Sequence, residues 1–332
     1  MKLVLDAMGG DHAPQAPVEG AVLALREDRD MSIVLAGVPQ VIEPLLKDAD
    51  DVRGRISLLN APEVISNSES AAMAIRQKKD SAVVRGLLMV REGEADGFVS
   101  AGSTGAVLVG GMLRLGRVPG IERPALAPLM PGAEGQFLLI DCGANVDCKP
   151  EYLAQFGLMG DAFMRQVMKQ DMPRIGLANI GAEEEKGNQL YIAAHQLLKQ
   201  EDINFVGNVE AREIPANQAD VIVCDGFDGN IILKYTEGVA ATLMGIIKRE
   251  LMADTRSKLG ALLAKPAFKR VRQQMDYTEV GGAPLLGVQG AVVKAHGSSN
   301  ARAIRGAIRQ AALMARAGVA EAIQHKITAR SH

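Results

Sequence analysis

The sequence predicts an α/β fold in which a largely parallel sheet lies between layers of helices. Two observations support this prediction. Short apolar runs alternate along the chain with stretches of helical spacing, and most of these runs lack polar alternation. Strands of that kind are buried on both faces, as is typical of a parallel sheet covered by helices. We therefore expect an α/β/α sandwich.

Nine apolar runs are predicted as strands, and a polar or glycine-bearing loop follows each of them. They are LVLD ending at Asp6, SIVLA at Ala36, ISLLN at Asn60, GFVS at Ser100, FLLID at Asp141, RIGLAN at Asn179, INFVG at Gly207, VIVCD at Asp225 and AVVKAH at His296. Apolar residues at three- and four-residue spacing predict helices over 16–28, 69–77, 81–93 and 150–169. No repeat or Pro/Ser-rich linker interrupts this order, so residues 1–332 are predicted to form a single domain on one continuous sheet.

The composition limits the possible functions. The 332 residues are 48% hydrophobic and 23% charged, which is usual for a soluble globular protein. Aromatic residues make up only 3% with no Trp, and the net charge is −2, so we expect no nucleic-acid partner. Three cysteines are too few for a disulfide framework and predict reduced thiols. The first apolar run stops at Asp6, and no run approaches about 20 apolar residues, so we expect a cytoplasmic protein without a spanning helix.

Ligands of parallel α/β sheets bind at the carboxyl ends of the strands, where loops meet helix N-termini. The loop after the first strand carries Gly9, Gly10, Asp11 and His12. The glycine pair permits a tight turn, and His12 is a candidate acid, base or anion donor. The alternative is an aspartate-capped turn with an exposed histidine.

A second glycine-rich loop follows the strand that ends at Ser100. Its N–H groups around Gly102, Ser103, Thr104 and Gly105 are suited to cradling a phosphate. The loop lacks the lysine of a nucleotide P-loop, and the chain has no dinucleotide fingerprint, so no cofactor is expected. The alternative is an ordinary turn in which Ser103 caps a helix.

Two further loops, 141–151 and 179–188, are dense in polar residues. Asn145 lies in the first as a candidate ligand of the substrate, and a metal is not expected because the two aspartates there lack a third ligand at matching spacing. In the second loop, Lys186 is the best candidate for a phosphate-binding cation, next to Asn188. We interpret the three glutamates before Lys186 as a solvated helix start.

Two strand ends complete the set of candidates. Asp228 and Asn230 follow the strand that ends in VIVCD, and His296 and Ser298 follow AVVKAH. Cys224 is a possible acyl-accepting nucleophile, but a cysteine inside such a strand more often faces the core.

A basic amphipathic stretch covers residues 241–275. Its eight Lys and Arg against two acids give +6, which leaves −8 on the rest of the chain. The residues expected to contact a lipid surface or an acidic protein are Lys248, Arg249, Leu259, Leu262, Leu263, Lys265, Lys269 and Arg270. The alternative is a buried hairpin with solvated lysines.

Together these loops closely resemble the PlsX family of phosphate acyltransferases, over nearly the whole chain. The resemblance rests on DAMGGD, SAGSTGA, DCGANVDCKPE, NIG with the following EE and KGN, CDGFDGNI, GGAPLLG and AHGSSN. The chain departs from the family pattern at Ser103, where asparagine is common, and at Ala182 and Glu185.

The resemblance implies transfer of an acyl group from acyl-acyl-carrier protein to inorganic phosphate, for phospholipid synthesis. It also implies a fold like that of phosphotransacetylases and isopropylmalate dehydrogenases, a homodimer, and a PlsY-type membrane acyltransferase that uses the acyl phosphate. Lys186, Asn188 and His12 are then the candidate catalytic residues, and the other loop residues bind phosphate or the thioester. The basic stretch would hold the enzyme peripherally on an anionic membrane or bind the carrier protein.

Two other functions remain open at this point. A phosphotransacetylase-type enzyme would use acyl-CoA and would not need the basic stretch. A non-catalytic scaffold at a lipid interface would bind acyl carriers without turnover.

Overall fold

A computed structural model describes residues 1–66, 68–275 and 281–329, with only the backbone of residues 272–275. Its strands are β1 (Lys2–Asp6), β2 (Ser32–Gly37), β3 (Ile56–Asn60), β4 (Gly97–Ser100), β5 (Ala125–Leu126), β6 (Leu129–Gly132), β7 (Gly135–Ile140), β8 (Arg174–Asn179), β9 (Asn204–Glu210), β10 (Val221–Val223), β11 (Ala283–Leu286) and β12 (Ala291–Lys294). Its α-helices are α1 (Gln15–Glu27), α2 (Pro39–Ile42), α3 (Ala71–Gln77), α4 (Ala82–Arg91), α5 (Thr104–Gly110), α6 (Pro150–Val167), α7 (Gln189–Leu198), α8 (Gly226–Leu251), α9 (Thr255–Met275), α10 (Ala301–Arg316) and α11 (Val319–Ala329).

The strands form two sheets with helices packed around them. The first sheet has the order β3-β2-β1-β4-β12-β11-β5, in which the first five strands are parallel and β11 is antiparallel to both of its neighbours. The second has the order β6-β7-β10-β8-β9 and is parallel except for β6. All nine predicted strands and all four predicted helices are present, and the predicted α/β class is confirmed.

The predicted single continuous sheet is wrong. The strand ladders divide into two sheets, which meet where β5 and β6 follow each other along the chain. There, the N–H of Cys142 donates to the carbonyl oxygen of Leu126 at 2.9 Å, and that of Leu139 donates to Pro128 at 3.0 Å. Residues 125–132 therefore join the two sheets.

One apolar cluster extends across both sheets. It includes Leu5 of β1 and Val223 of β10, together with Phe156 and Phe163 of the long helix α6. The cluster buries these side chains almost completely, and burying a large apolar side chain contributes about 1.5–3 kcal/mol. This shared core holds the carboxyl ends of both sets of strands in one region of the molecule.

Helices α8 and α9 form a hairpin that contains the basic stretch. No side chain described between residues 241 and 271 is buried, and Leu259, Leu262 and Leu263 are 62%, 66% and 78% exposed. The alternative interpretation, a buried hairpin, is therefore wrong for a single copy of the chain. Within the described residues, no helix is long and apolar enough to cross a bilayer.

Candidate functional site

A cavity of about 400 Å³ lies at the junction of the two sheets, beside the carboxyl ends of β4, β7 and β12. Three predicted site residues line it, namely Thr104, Asn230 and His296. Its apolar wall consists of Leu126, Pro128, Leu129, Met130, Leu233, Ala283, Ala295 and Ala303. Such a wall, with a few polar groups, is typical of a pocket for a small organic ligand.

Glycines allow three loops to pack together beside this cavity. A Cβ on Gly9 would lie 2.7 Å from the backbone nitrogen of Gly102, and Gly10 has a φ of +101°. The N–H of Asp11 donates to the carbonyl oxygen of Gly297 at 2.8 Å. The loop after β1 therefore contacts the loops after both β4 and β12, as expected for strands whose carboxyl ends lie at the same edge of the sheet.

The buried carboxylate of Asp6 stabilises these loops. Ser100 donates its hydroxyl proton to Asp6 at 2.7 Å and accepts the N–H of Gly102 at 3.0 Å. Burial raises the pKa of Asp6, although its hydrogen bonds and the charge of Lys294 oppose this shift. The network fixes where the second glycine-rich loop begins.

Ser103 and Thr104 have different positions in that loop. Ser103 caps α5, since its hydroxyl accepts the N–H of Ala106 at 3.4 Å. Thr104 is exposed and faces the cavity. The capping alternative thus describes Ser103, and Thr104 is the residue of this pair that is available to a ligand. Gly105 follows it in the first turn of the helix.

His296 is held by Ser298 at the mouth of the cavity. Its Nδ1 accepts the backbone N–H of Ser298 at 3.2 Å and lies 2.8 Å from the Ser298 hydroxyl. An Nδ1 that accepts an N–H carries no proton in the neutral ring, so the proton is assigned to Nε2. The exposed ring therefore presents an N–H donor.

Lys294 is a cavity residue that the sequence prediction missed. Its side chain is buried, lines the cavity and directs Nζ toward the carbonyl oxygens of Ala101 at 3.4 Å and of Ala295. Burial lowers the pKa of Lys294 to about 8. The available signal was a lysine inside the otherwise apolar run AVVKAH, because a lysine is rarely buried without a partner.

Asp141 organises the loop after β7. Its carboxylate accepts the N–H groups of Leu126, Ala144 and Asn145 at 2.9, 3.3 and 2.7 Å, and the side-chain amide of Asn145 at 3.0 Å. Burial raises the pKa of Asp141 to about 6. Asn145 also donates to the carbonyl oxygen of Pro124 at 2.8 Å, so its amide N–H donors are engaged within the protein.

The start of α8 carries two further predicted site residues, Asp228 and Asn230. Asp225 caps the helix by accepting the N–H of Asp228 at 2.8 Å, and the Tyr191 hydroxyl donates to Asp228 at 2.8 Å. Burial raises the pKa of both Asp225 and Tyr191. Asn230 is exposed on the cavity side, whereas Asp228 faces Tyr191.

The three predicted catalytic residues do not lie on the described wall of the cavity. Asn188 caps α7, its side-chain oxygen accepting the N–H of Tyr191 at 3.1 Å. Lys186 is exposed two residues earlier, in the loop that connects β8 to α7. His12 is exposed in the loop after β1. The structure thus places these side chains on the same edge of the sheets as the cavity, but outside it.

Neither cysteine at the junction of the sheets has the properties of a nucleophile. Cys224 is fully buried, and its Sγ points toward the carbonyl oxygen of Asp141 at 3.5 Å. Burial raises the pKa of Cys224 and of Cys142 well above the usual value for a thiol. Because the thiolate is the reactive form, both are expected to be inert.

Comparisons with known proteins identify the family. A family model described as "Fatty acid synthesis protein" matches residues 1–322. The phosphate acyltransferase of Clostridium botulinum (strain Loch Maree / Type A3) is 48% identical over 327 residues, 98% of each chain. That of Alkaliphilus oremlandii (strain OhILAs) is 51% identical over 311 residues, 94% of this chain and 92% of that one.

Solved structures agree on the fold. A phosphotransacetylase from Streptococcus pyogenes superposes with a TM-score of 0.62 at 18% identity, covering 95% of this chain and 94% of its own. The EutD phosphotransacetylase from Staphylococcus aureus gives 0.60 at 16%, covering 97% and 94%. The predicted likeness to phosphotransacetylases is confirmed at the level of the fold. With the sequence matches, these results show that the chain is an acyltransferase and belongs to the PlsX family of phosphate acyltransferases.

Proposed function

We propose that this enzyme transfers a fatty acyl group from acyl-acyl-carrier protein to inorganic phosphate and so supplies acyl phosphate for phosphatidic acid synthesis. The observation that carries the proposal is the cavity, where an apolar wall meets the donors Thr104, Asn230 and His296. An acyl chain requires apolar surface, and an oxyanion requires donors at the same place.

The reaction needs little acid or base catalysis. A phosphate oxygen attacks the thioester carbon, the new C–O bond forms, and the C–S bond breaks to release the carrier thiolate, which then takes up a proton. The protein's task is to hold a dianion against the thioester and to stabilise the developing oxyanion. We propose that the N–H of His296 and the hydroxyl of Thr104, both of which line the cavity, perform that task.

The proposal is tested by incubating the protein with acyl-acyl-carrier protein and phosphate and trapping the product with hydroxylamine. We expect acyl hydroxamate in amounts that depend on phosphate. A yield no higher than that of a phosphate-free control would contradict the proposal. A preference for acyl-CoA would favour the phosphotransacetylase alternative, and liposome binding without turnover would favour the scaffold.

Lys186 is proposed to assist catalysis from the neighbouring strand end. Replacing Lys186 with Ala should lower kcat/KM by about tenfold, since a cation at the edge where the cavity opens raises the rate at which an anionic substrate arrives. The fold should be unaffected because Lys186 is exposed. The hydroxamate assay measures the effect, with exposed Lys47→Ala as the matched control. Full turnover by Lys186→Ala would reject its role.

The α8–α9 hairpin is proposed to place the enzyme on the inner face of the cell membrane. Exposed leucines beside Lys265, Lys269 and Arg270 suit an anionic lipid surface, and the same surface suits an acidic carrier protein. A peripheral position would deliver acyl phosphate to a PlsY-type acyltransferase. We also propose that the enzyme is cytoplasmic and forms a homodimer. Light scattering on the full chain would test the homodimer.

Replacing Leu262 and Leu263 with Glu should reduce sedimentation with phosphatidylglycerol vesicles at least tenfold. The change removes apolar contacts, each contributing about 1.5 kcal/mol or more when buried, and adds repulsion from anionic lipid. A matched control is Val41→Glu with Leu45→Glu, two apolar residues that are 44% and 37% exposed elsewhere. If the hairpin variant still sediments like the wild type, this segment is not the membrane contact.

A further inference from the structure

Lys294 is a buried cation without an ionic partner in contact. Only 8% of the residue is exposed, and the groups near its Nζ are the carbonyl oxygens of Ala101 and Ala295. In the part of the chain that the structure describes, no carboxylate lies within 4.0 Å of Nζ. Since an unpaired buried charge is costly, a protein keeps one where an anion compensates it or where its function requires it.

The nearest carboxylates interact with Lys294 only at longer range. Asp6 and Asp11 favour its charged form, and Lys234 opposes it. Asp6 already accepts hydrogen bonds from Ser100 and from the N–H of Met8, at 2.7 and 3.0 Å. Asp6 is therefore engaged by the loop after β1 and by Ser100 of β4, and it does not contact the Lys294 ammonium group.

The cavity beside Lys294 has further charged and titratable groups. Lys234 also lines it and forms an ion pair of 2.8 Å with Glu237. Among the described residues, the titratable groups on the cavity wall are Lys234, Glu237, Cys142, Lys294 and His296. Lys234 is paired with Glu237, so within this described wall Lys294 is the cation that has no carboxylate in contact. An anion bound in the cavity can supply its counter-charge.

We propose that the Lys294 ammonium group binds the attacking phosphate at the inner end of the cavity. This inference rests on the proposed function, in which phosphate attacks a thioester. Thr104 and His296 line the same cavity and would provide donors for the remaining phosphate oxygens. Leu126, Leu129 and Met130 provide the apolar wall for the acyl chain. Phosphate bound to Lys294 would then face the thioester, which enters from the open side.

This position predicts that phosphate binding depends on pH. The pKa of Lys294 is lowered to about 8, so the unbound lysine loses its proton above that pH, and phosphate binding requires the protonated form. The apparent dissociation constant of phosphate should therefore rise above pH 8, approaching about tenfold for each pH unit, as Lys294 loses its proton. The groups acting on this titration are Asp6, Asp11 and Lys234, with Glu237 and His296 across the cavity.

The test measures the Kd of inorganic phosphate for the full chain by calorimetry between pH 7 and 9.5. We expect Lys294→Met to raise the Kd at pH 7 at least tenfold and to remove the rise above pH 8. Lys294→Arg should bind without that rise, because an arginine stays protonated. The control is Lys2→Met, an exposed lysine at the amino end of β1, whereas the cavity lies at the carboxyl ends of the strands. An unchanged Kd in Lys294→Met, or an unchanged pH profile in Lys294→Arg, would overturn the proposal.

The design separates this inference from the proposed function. If Lys294→Met does not fold by circular dichroism, the pH profiles of the wild type and of Lys294→Arg still decide the matter. Acyl phosphate formation with an unchanged KM for phosphate in a Lys294 variant would reject the role of Lys294 and leave the function intact. Phosphate binding that depends on Lys294, without any acyl transfer, would reject the function and leave the site intact.

Discussion

Replacing Gly229 with Ala is expected to lower the free energy of unfolding by about 3 kcal/mol. Gly229 lies in the first turn of α8, and a Cβ there would overlap the carbonyl oxygen of Asp141 and lie 2.8 Å from the sulfur of Cys224. The first of these atoms belongs to the backbone, which cannot rotate away as a side chain can. Relief therefore requires the helix to move off the second sheet.

Urea unfolding of the full chain measures this effect, and the same helix offers a control. Gly238 is exposed in α8, and a Cβ added there would have no neighbouring atom within 4 Å, so Gly238→Ala should stabilise the helix by up to about 1 kcal/mol. Opposite shifts from the same substitution would locate the effect in the contact with Asp141. Equal urea midpoints for Gly229→Ala and the wild type would contradict the prediction. Because α8 also carries Asn230, we expect acyl transfer to fall as well.

Replacing Asp141 with Ala is expected to cost about 3 kcal/mol or more. The substitution removes the acceptor of four N–H donors, those of Leu126 and Ala144 and both the backbone and the side-chain amide of Asn145. The N–H of Leu126 is buried, and a buried donor without an acceptor costs about 1–3 kcal/mol; the three half-buried donors add to this loss. Asp147→Ala, an exposed position in the same loop, should change the urea midpoint little. A similar loss from both variants would show that the carboxylate of Asp141 is not the organising group.

Asp141 also predicts how stability depends on pH. Its pKa is raised from 3.8 to about 6, so between these values the folded state binds more protons than the unfolded state. Stability therefore falls as pH rises from about 4 to about 6 through this group, and its contribution is constant above 6. Asp141→Asn should remove that slope, which urea titrations at pH 4, 5, 6 and 7 would reveal. A slope that persists in Asp141→Asn belongs to another group.

The sequence predicted the strands that are buried on both faces, because continuous apolar runs dictate them. It did not reveal β5, β6 or β11. β5 has only two residues, β6 contains Pro131 and Gly132, and β11 contains Pro284 and no β-branched residue. Tertiary pairing rather than local preference therefore forms these strands. The division into two sheets follows from these same strands, which explains why a single sheet was expected.

The candidate site was predicted in part for similar reasons. The glycine-rich loops follow strands that the sequence predicts. Because the carboxyl ends of parallel strands share one edge of a sheet, these loops were expected to lie close together. Ser103 and Asn188 are caps, and a polar residue before a helix looks the same in sequence whether it binds a ligand or the backbone. Lys294 was missed because its environment depends on β4 and α8, which are distant in sequence.

Helix α8 fixes the spacing between the cavity and the hairpin turn. Its 26 residues form one continuous helix, with Leu233, Lys234 and Glu237 on the cavity wall and Leu251 at the far end. The span from Glu237 to Leu251 is about 21 Å at the rise of an α-helix. Inserting one residue there would rotate the basic surface by about 100° around the helix axis, whereas inserting seven would nearly restore its direction at a greater height. The distance of the basic hairpin turn from the cavity, and its direction around the helix axis, are therefore set by the length of this one helix.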